Sequence, residues 1–208
     1  PNAYIKAGTH FLRPIVIVKS VYIDGGVTLG RYTAIGHHSK AANVRIGSFC
    51  SVGQWCNLNH LGYHPTMWLS THRFQTPRGQ ALFDFDEEMR AVRPLPCDDT
   101  YGGLTIGHDV WIGDDVSVLG GITIGHGAII GAKSFVNSNI PHYAIAAGIP
   151  ARVKKYRFPP DIIKKLLELQ WWELALQDVG HLQFNDIVTA IAQLEAIREK
   201  NPLASSPT

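Results

Sequence analysis

The sequence predicts a β-solenoid that carries one long excursion and ends in two helices. Three observations predict it. Aliphatic residues recur every six positions from Ile106 to Val136. The same spacing runs earlier, from Ile23 to Leu58. After residue 140 the rhythm of six fades, and apolar residues take up helical spacing.

The second block is the clearer one. From residue 104 the chain reads LTIGHD VWIGDD VSVLGG ITIGHG AIIGAK SFVNSN. The third place of each hexad holds Ile106, Ile112, Val118, Ile124, Ile130 and Val136. The first place is aliphatic or small: Leu104, Val110, Val116, Ile122, Ala128 and Ser134. Glycine follows the third place at Gly107, Gly113, Gly125 and Gly131. A hexad is too short for an ordinary helix and suits a short strand plus a turn. The aliphatic points inward, glycine supplies the backbone angles of a corner, and successive coils complete one another's hydrogen bonds.

The first block places Ile23, Leu29 and Ile35, then Ile46, Val52 and Leu58, at the same spacing. The step from Ile35 to Ile46 is eleven, so one coil lacks a residue. Cys50 and Cys56 occupy the small-residue place and read as packing groups. Residues 60–103 interrupt the repeat. They are too many for a connection between neighbouring elements, which marks a functional or mobile segment. The segment carries Tyr63, Met67, Trp68, Leu69, Phe74, Leu82, Phe83 and Phe85, too many apolar groups for a solvated loop. That content suggests a flap packed against a neighbouring subunit or an acceptor pocket. Its DFDEEMR stretch (84–90) reads first as solvated surface.

After the second block, PHYAIAAGIPARVKKYRF reads as a closing strand and a basic turn. PPDIIKKLLELQWWELAL then starts a helix on its prolines, with Ile162, Ile163, Leu166, Leu167 and Leu169 as the apolar face. A second helix is expected at 186–200, and the tail NPLASSPT as disordered. The organisation is thus a solenoid domain over 1–158, with its excursion at 60–103, and a C-terminal helical segment and tail over 159–208.

Composition narrows the function classes. A net charge of +2 over 208 residues gives no basic stripe for nucleic acid. Three cysteines without CxxC spacing argue against a disulfide framework or a zinc knuckle. No apolar run approaches the roughly 20 residues of a membrane helix. No secretory signal is visible, so the cytoplasm is the expected compartment.

Three segments carry a family resemblance: RIGSFCSVG (45–53), LTIGHDVWIG (104–113) and IPHYAIAAGIPARVKKYRFPPDIIKKLLELQWWEL (140–174). They resemble the hexapeptide-repeat acyltransferases, in particular the xenobiotic branch with the chloramphenicol and streptogramin acetyltransferases. The resemblance implies a left-handed parallel β-helix, a hand that the spacing does not reveal and that the usual crossover rule opposes. It also implies acetyl-CoA as co-substrate, a small-molecule alcohol or sugar as acceptor, no metal, and a homotrimer with CoA between neighbouring subunits.

Acetyl transfer from a thioester needs a base for the acceptor hydroxyl. A neutral histidine, with its pKa near ~6.5, is matched to that task. GYHPTMWLST (62–71) matches the family's base-bearing motif at His64. His60 matches less well and reads as a nearby loop residue, and His108 and His126 fall on hexad turns as exposed groups. Trp111, beside inward Ile112, is expected to point outward. The resemblance puts it beside the base and the pantetheine arm. By motif position Ala132 and Asn137 match pantetheine contacts. Arg152 and Lys155, within a cluster that includes Lys154 and Arg157, match phosphate or adenine contacts.

Asn137 stands where the family more often has threonine. Pro65 and Thr66 follow His64 in place of the form common in antibiotic-modifying members, so a cell-surface sugar is as good an acceptor as an antibiotic. Two other readings stay open. One is a zinc hydratase like the γ-class carbonic anhydrases, which would need three converging histidines. The other is a non-catalytic β-helix scaffold.

Overall fold

The computed structural model describes residues 3–60, 64–80, 87–96 and 102–202. Its strands are mostly two residues long, one for each hexad. β1 (Tyr4–Ile5), β2 (His10–Phe11) and β3 (Val16–Ile17) form a first coil. β4 (Tyr22–Ile23), β5 (Thr28–Leu29) and β6 (Ala34–Ile35) form the second. β7 (Lys40–Ala41), β8 (Val44–Ile46) and β9 (Ser51–Val52) follow. β10 (Asn57–Leu58), β11 (Leu104–Ile106) and β12 (Trp111–Ile112) make a coil from which the excursion leaves. β13 (Ser117–Val118), β14 (Thr123–Ile124) and β15 (Ile129–Ile130) complete the regular coils. β16 (Phe135–Val136) and the hairpin β17 (Ala144–Gly148) and β18 (Ala151–Tyr156) close the end.

These strands stack into three sheets. The first has the order β1-β4-β7-β10-β13-β16, the second β14-β11-β8-β5-β2, and the third β18-β17-β15-β12-β9-β6-β3. Pairing is parallel except between β17 and β18. The third-place aliphatics fill the prism: Ile23, Leu29, Leu58, Ile112, Val118, Ile124, Ile130 and Val136 are fully buried. Each such side chain stabilises the fold by roughly 1.5–3 kcal/mol before entropy is counted.

Two expectations change in detail. The repeat starts a coil earlier, because Ile5, Phe11 and Ile17 keep the same spacing. The short coil loses its residue after Ala41, which stacks between Ile23 and Leu58. Ile46 follows five positions later, with Asn43 turned to φ 45°.

The glycines also have a different reason from the one expected. The left-handed backbone angles fall on the sixth place, at residues such as Phe49 (φ 61°), Asp109 (φ 56°) and Lys133 (φ 61°). The fourth-place glycine is needed because coils touch there. A Cβ on Gly47 would lie 2.5 Å from the Gly107 carbonyl oxygen, and one on Gly30 2.4 Å from the Gly47 carbonyl carbon. At the corner that follows the first sheet the fourth place carries Asp24, Ala42, Asn59 and Leu119 instead of glycine, and glycine comes just after it, at Gly25, Gly26, Gly120 and Gly121. That corner is where the excursion leaves. Asn59 ties its base by donating from Nδ2 to the carbonyls of Asn43 (3.1 Å) and Gly102 (3.3 Å).

Within the excursion lie a short 3-10 turn (Arg73–Gln75) and two helical turns, α1 (Pro77–Gln80) and α2 (Glu87–Ala91). Tyr63, Leu82, Phe83, Phe85, residues 84–86 of the acidic stretch, Cys97 and the tail from 203 onward lie outside the described residues.

α3 (Pro160–Leu169) begins on Pro159 and Pro160 as expected. α4 (Leu176–Val179) is a single turn, and α5 (Ile187–Lys200) is capped by the Asp186 carboxylate, which accepts from the N–H groups of Val188 and Thr189. Leu166 and Ile191 pack with Tyr143, so the helices seal the corner between the second and third sheets. Arg31 clamps the segment by donating to the carbonyls of Trp172 (2.9 Å) and Leu174 (2.5 Å).

Candidate active site

His64 is exposed, and its Nδ1 lies 2.9 Å from the Thr71 carbonyl oxygen. A carbonyl only accepts, so Nδ1 carries the proton and Nε2 presents a lone pair. This orienting group left no mark in the sequence, because any residue type supplies a carbonyl. His60 sits at the end of β10, edge-on to Tyr22 at 5.2 Å. Around His64 the excursion is apolar and open: Met67 is 92% and Leu69 106% exposed, while Trp68 is half-buried.

Trp111 points outward, as expected, and is 56% exposed on the third sheet. The register continues from it through Ile129 and Ile145 to Lys155 on one outward row. Arg152 faces Ala147, so it shares that outward side. Residues three apart on a strand normally point to opposite faces. The bulge at Ile145/Ala146 skips Lys154 and restores Arg152 and Lys155 to one side. The basic residues therefore lie on a strand, and the expected basic turn is corrected to a hairpin whose tip is Ile149–Pro150.

Ala132 is exposed at the corner leaving the third sheet, stacked over Gly113. Trp111, Ala132, Arg152 and Lys155 thus share one side of the prism. Asn137 does not join them: it follows β16 at the end of the first sheet. Arg157 leaves the cation cluster altogether. It donates to Asp109 Oδ2 (2.9 Å) and to the Gly127 carbonyl (2.8 Å), holding the hairpin to the solenoid. Burial pushes the Asp109 carboxyl up, against the opposing pull of Arg157.

His108 and His126 are not the exposed turn residues expected. Both are half-buried, and with exposed His142 they form a ladder at the corner between the second and third sheets. Each Nδ1 accepts a backbone N–H from the coil below, from Ser48, His108 and His126 in turn, all at 2.9 Å. Trp172 stacks on His108 and His126 at 5.3 and 4.8 Å. Burial lowers all three pKa values, that of His126 to about 4. These histidines are neutral structural acceptors. Cys50 is equally unreactive, its thiol pushed up to about 12 by burial.

Residues 103–138 match the family model described as bacterial transferase hexapeptide (six repeats). The chain is 37% identical over 134 residues to a chloramphenicol acetyltransferase of Klebsiella aerogenes, covering 64% of this chain and 61% of that one. A probable macrolide acetyltransferase of Lysinibacillus sphaericus is 31% identical over 174 residues, covering 81% of this chain and 91% of the relative. This chain belongs to the hexapeptide-repeat acetyltransferase family. As a member of that family it spans about 61% of the length of the Klebsiella relative. Its fold, a left-handed parallel β-helix with C-terminal helices, is shared with AntD, an N-acyltransferase from Bacillus cereus solved with dTDP and 3-hydroxybutyryl-CoA. The TM-score is 0.58 at 18% identity, with 81% of this chain and 80% of AntD covered.

For a hexapeptide-repeat acetyltransferase, the placement of the parts is instructive. The excursion bearing His64 is rooted at the corner between the first and second sheets, which is the corner opposite the third sheet. Trp111 and the two outward cations are on the third sheet. The root of the excursion that bears the base candidate and the cofactor candidates are therefore on opposite sides of the prism.

Proposed function

We propose that the protein transfers an acetyl group from acetyl-CoA to a hydroxyl of a small-molecule acceptor, with His64 as general base. The observation that carries this is the Thr71 carbonyl at 2.9 Å from His64 Nδ1, which fixes the tautomer a base needs. His64 Nε2 takes the proton of the acceptor hydroxyl as its oxygen forms a bond to the thioester carbonyl carbon. The carbon–sulfur bond breaks as the tetrahedral intermediate collapses, and the imidazolium returns its proton to the leaving thiolate. Acetyl-CoA supplies the activated acyl group, and no covalent enzyme intermediate is required.

The outward side of the third sheet suits that co-substrate. Arg152 and Lys155 offer cations for its phosphates. Trp111 and the neighbouring strands offer an apolar wall and a row for the pantetheine arm. Because His64 is rooted at the opposite corner, a second copy completes each site, with His64 of one chain meeting Trp111 of the next. A homotrimer closes three such sites by symmetry.

Thiol release from acetyl-CoA, measured against a panel of sugars and antibiotic alcohols, tests the reading. His64→Ala lowers turnover by about 10²–10⁴-fold while acetyl-CoA still binds. Turnover in His64→Ala equal to wild type removes His64 as the base and directs attention to His60. Absence of both thiol release and acetyl-CoA binding in the wild type favours a scaffold.

A further inference from the structure

The corner between the third and first sheets is a ridge built from equivalent places of successive coils. Backbone bonds fix their order: Trp55 N–H donates to the His37 carbonyl (2.8 Å), Asp115 to Gln54 (2.9 Å), and Lys133 to Asp114 (2.8 Å). His38, Trp55, Asp115 and Lys133 therefore follow one another along the axis, all with positive φ. A bulky aromatic is an expensive choice in that conformation. At the corner between the second and third sheets, the aromatics in the same place are covered by this chain. Phe49 packs on Trp171 at 4.8 Å, and Tyr143 is buried. Trp55 is different. His38 stacks flat beneath it (4.0 Å, 14°), yet the indole remains 56% exposed.

Its position along the axis points to a use. Starting from β18, which bears Arg152 and Lys155, the third sheet runs through β17 and β15 to β12 and Trp111. That is three strand spacings, about 14 Å. The next strand, β9, leads directly into Gln54 and Trp55. Ala132 lies on the same ridge one coil beyond Asp114, on the side toward β15 and β18. A co-substrate with its phosphates at β18 and its thioester near Trp111 leaves the Trp55 level free. The acceptor must reach the thioester from beyond it.

We infer that Trp55, backed by His38, is the surface on which the acceptor stacks, and that this acceptor is a saccharide. The inference rests on the acetyl-transfer reading above. The flat indole suits the C–H face of a pyranose. The exposed carboxylates of Asp114 and Asp115 and the Gln54 amide stand beside it. Asp114 already accepts from the Gln54 N–H (3.0 Å) and holds its Nε2 at 3.4 Å, so amide and carboxylate are presented as a unit. Sugar hydroxyls supply the donors these acceptors want. A nitroaryl alcohol would stack as well but offers its ring no donors. Trp55 is thus a specificity-determining residue.

The test uses the full chain with Trp55→Ala and Trp55→Phe, against methyl glycosides of galactose, glucose, mannose and N-acetylglucosamine, with chloramphenicol alongside. Alanine keeps the Cβ and the backbone conformation, so thermal melting should match wild type. Saccharide KM should rise about tenfold in Trp55→Ala and much less in Trp55→Phe. KM for acetyl-CoA and the oligomeric state should not change. Binding of the same glycosides to the CoA complex, followed by saturation-transfer NMR, should weaken in parallel. An unchanged saccharide KM in Trp55→Ala overturns the inference. So does a loss that tracks dissociation of the oligomer, an effect confined to chloramphenicol, or a wild type that binds none of the glycosides. If wild type binds a glycoside through Trp55 yet transfers acetyl to nothing, the stacking site stands and the proposed reaction falls.

Discussion

Acidification should loosen the histidine ladder, and the ring most affected is His126. In the fold its Nδ1 accepts the His108 N–H at 2.9 Å. A second proton on the ring must go to Nδ1, which leaves that N–H facing another donor. His108 and His142 stack on either side at 5.1 and 4.9 Å, and Trp172 covers the ladder. Arg31, near His108, adds further positive charge, and Glu173, 3.8 Å from His108 Nε2, opposes it. Burial first, and then the charges of His108 and His142, lower the His126 pKa from 6.5 to about 4.

A histidine depressed in the fold is neutral there while the unfolded chain takes up a proton. Its stabilising contribution is complete above the unfolded value, falls as pH drops below ~6.5, and is exhausted near the folded value of about 4. At ~1.4 kcal/mol for each tenfold step in proton binding, the full span is roughly 3 kcal/mol, and partial exposure reduces it to about 2. Urea unfolding at pH 7.5, 6.5, 5.5 and 4.5, followed by tryptophan fluorescence, measures this directly. His126→Asn keeps a side-chain acceptor but removes the titration, so its stability should fall less steeply between pH 6.5 and 4. An acid slope identical to wild type, or a wild-type stability that is flat across this window, would refute the reasoning.

Other outcomes follow from the same structure. Replacing Arg152 and Lys155 together by alanine should raise KM for acetyl-CoA by about ten- to a hundredfold in a salt-dependent way, leaving acceptor KM unchanged, as steady-state kinetics at two ionic strengths would show. Gly47→Ala places a Cβ 2.5 Å from the Gly107 carbonyl oxygen, backbone against backbone. It should cost about 1–3 kcal/mol and lower the melting temperature, whereas Asp24→Ala, in the same place after the first sheet, brings no such clash and should lose only the Lys6 ion pair and the bond from the Gly25 N–H.

Much of this was legible in one dimension. A buried aliphatic every sixth residue can only line a narrow solenoid, so Ile106 to Val136 announce strands, register and core together. The interruption after Leu58 announces the excursion, and the prolines at 159 and 160 announce α3. The first coil is harder to see because Leu12 and Val18 stand where later coils have glycine. Lacking that punctuation, Ile5, Phe11 and Ile17 do not stand out. The site is legible only in pieces. Trp111, Arg152 and Lys155 were recognisable as types in a pattern, but the bulge that puts Arg152 and Lys155 on one side is a property of strand pairing.

The sequence by itself determined the period, the inward residues, the place of the excursion and the family motifs, because each is set by spacing along the chain. Only the tertiary structure decided which turn histidines are buried acceptors and which cation is tied to Asp109. It alone joined His64 to a carbonyl and opened one face of Trp55. Those choices depend on residues brought together across coils, sixteen to sixty positions apart in most cases, and side-chain chemistry cannot announce a partner that the chain supplies only after it has wound.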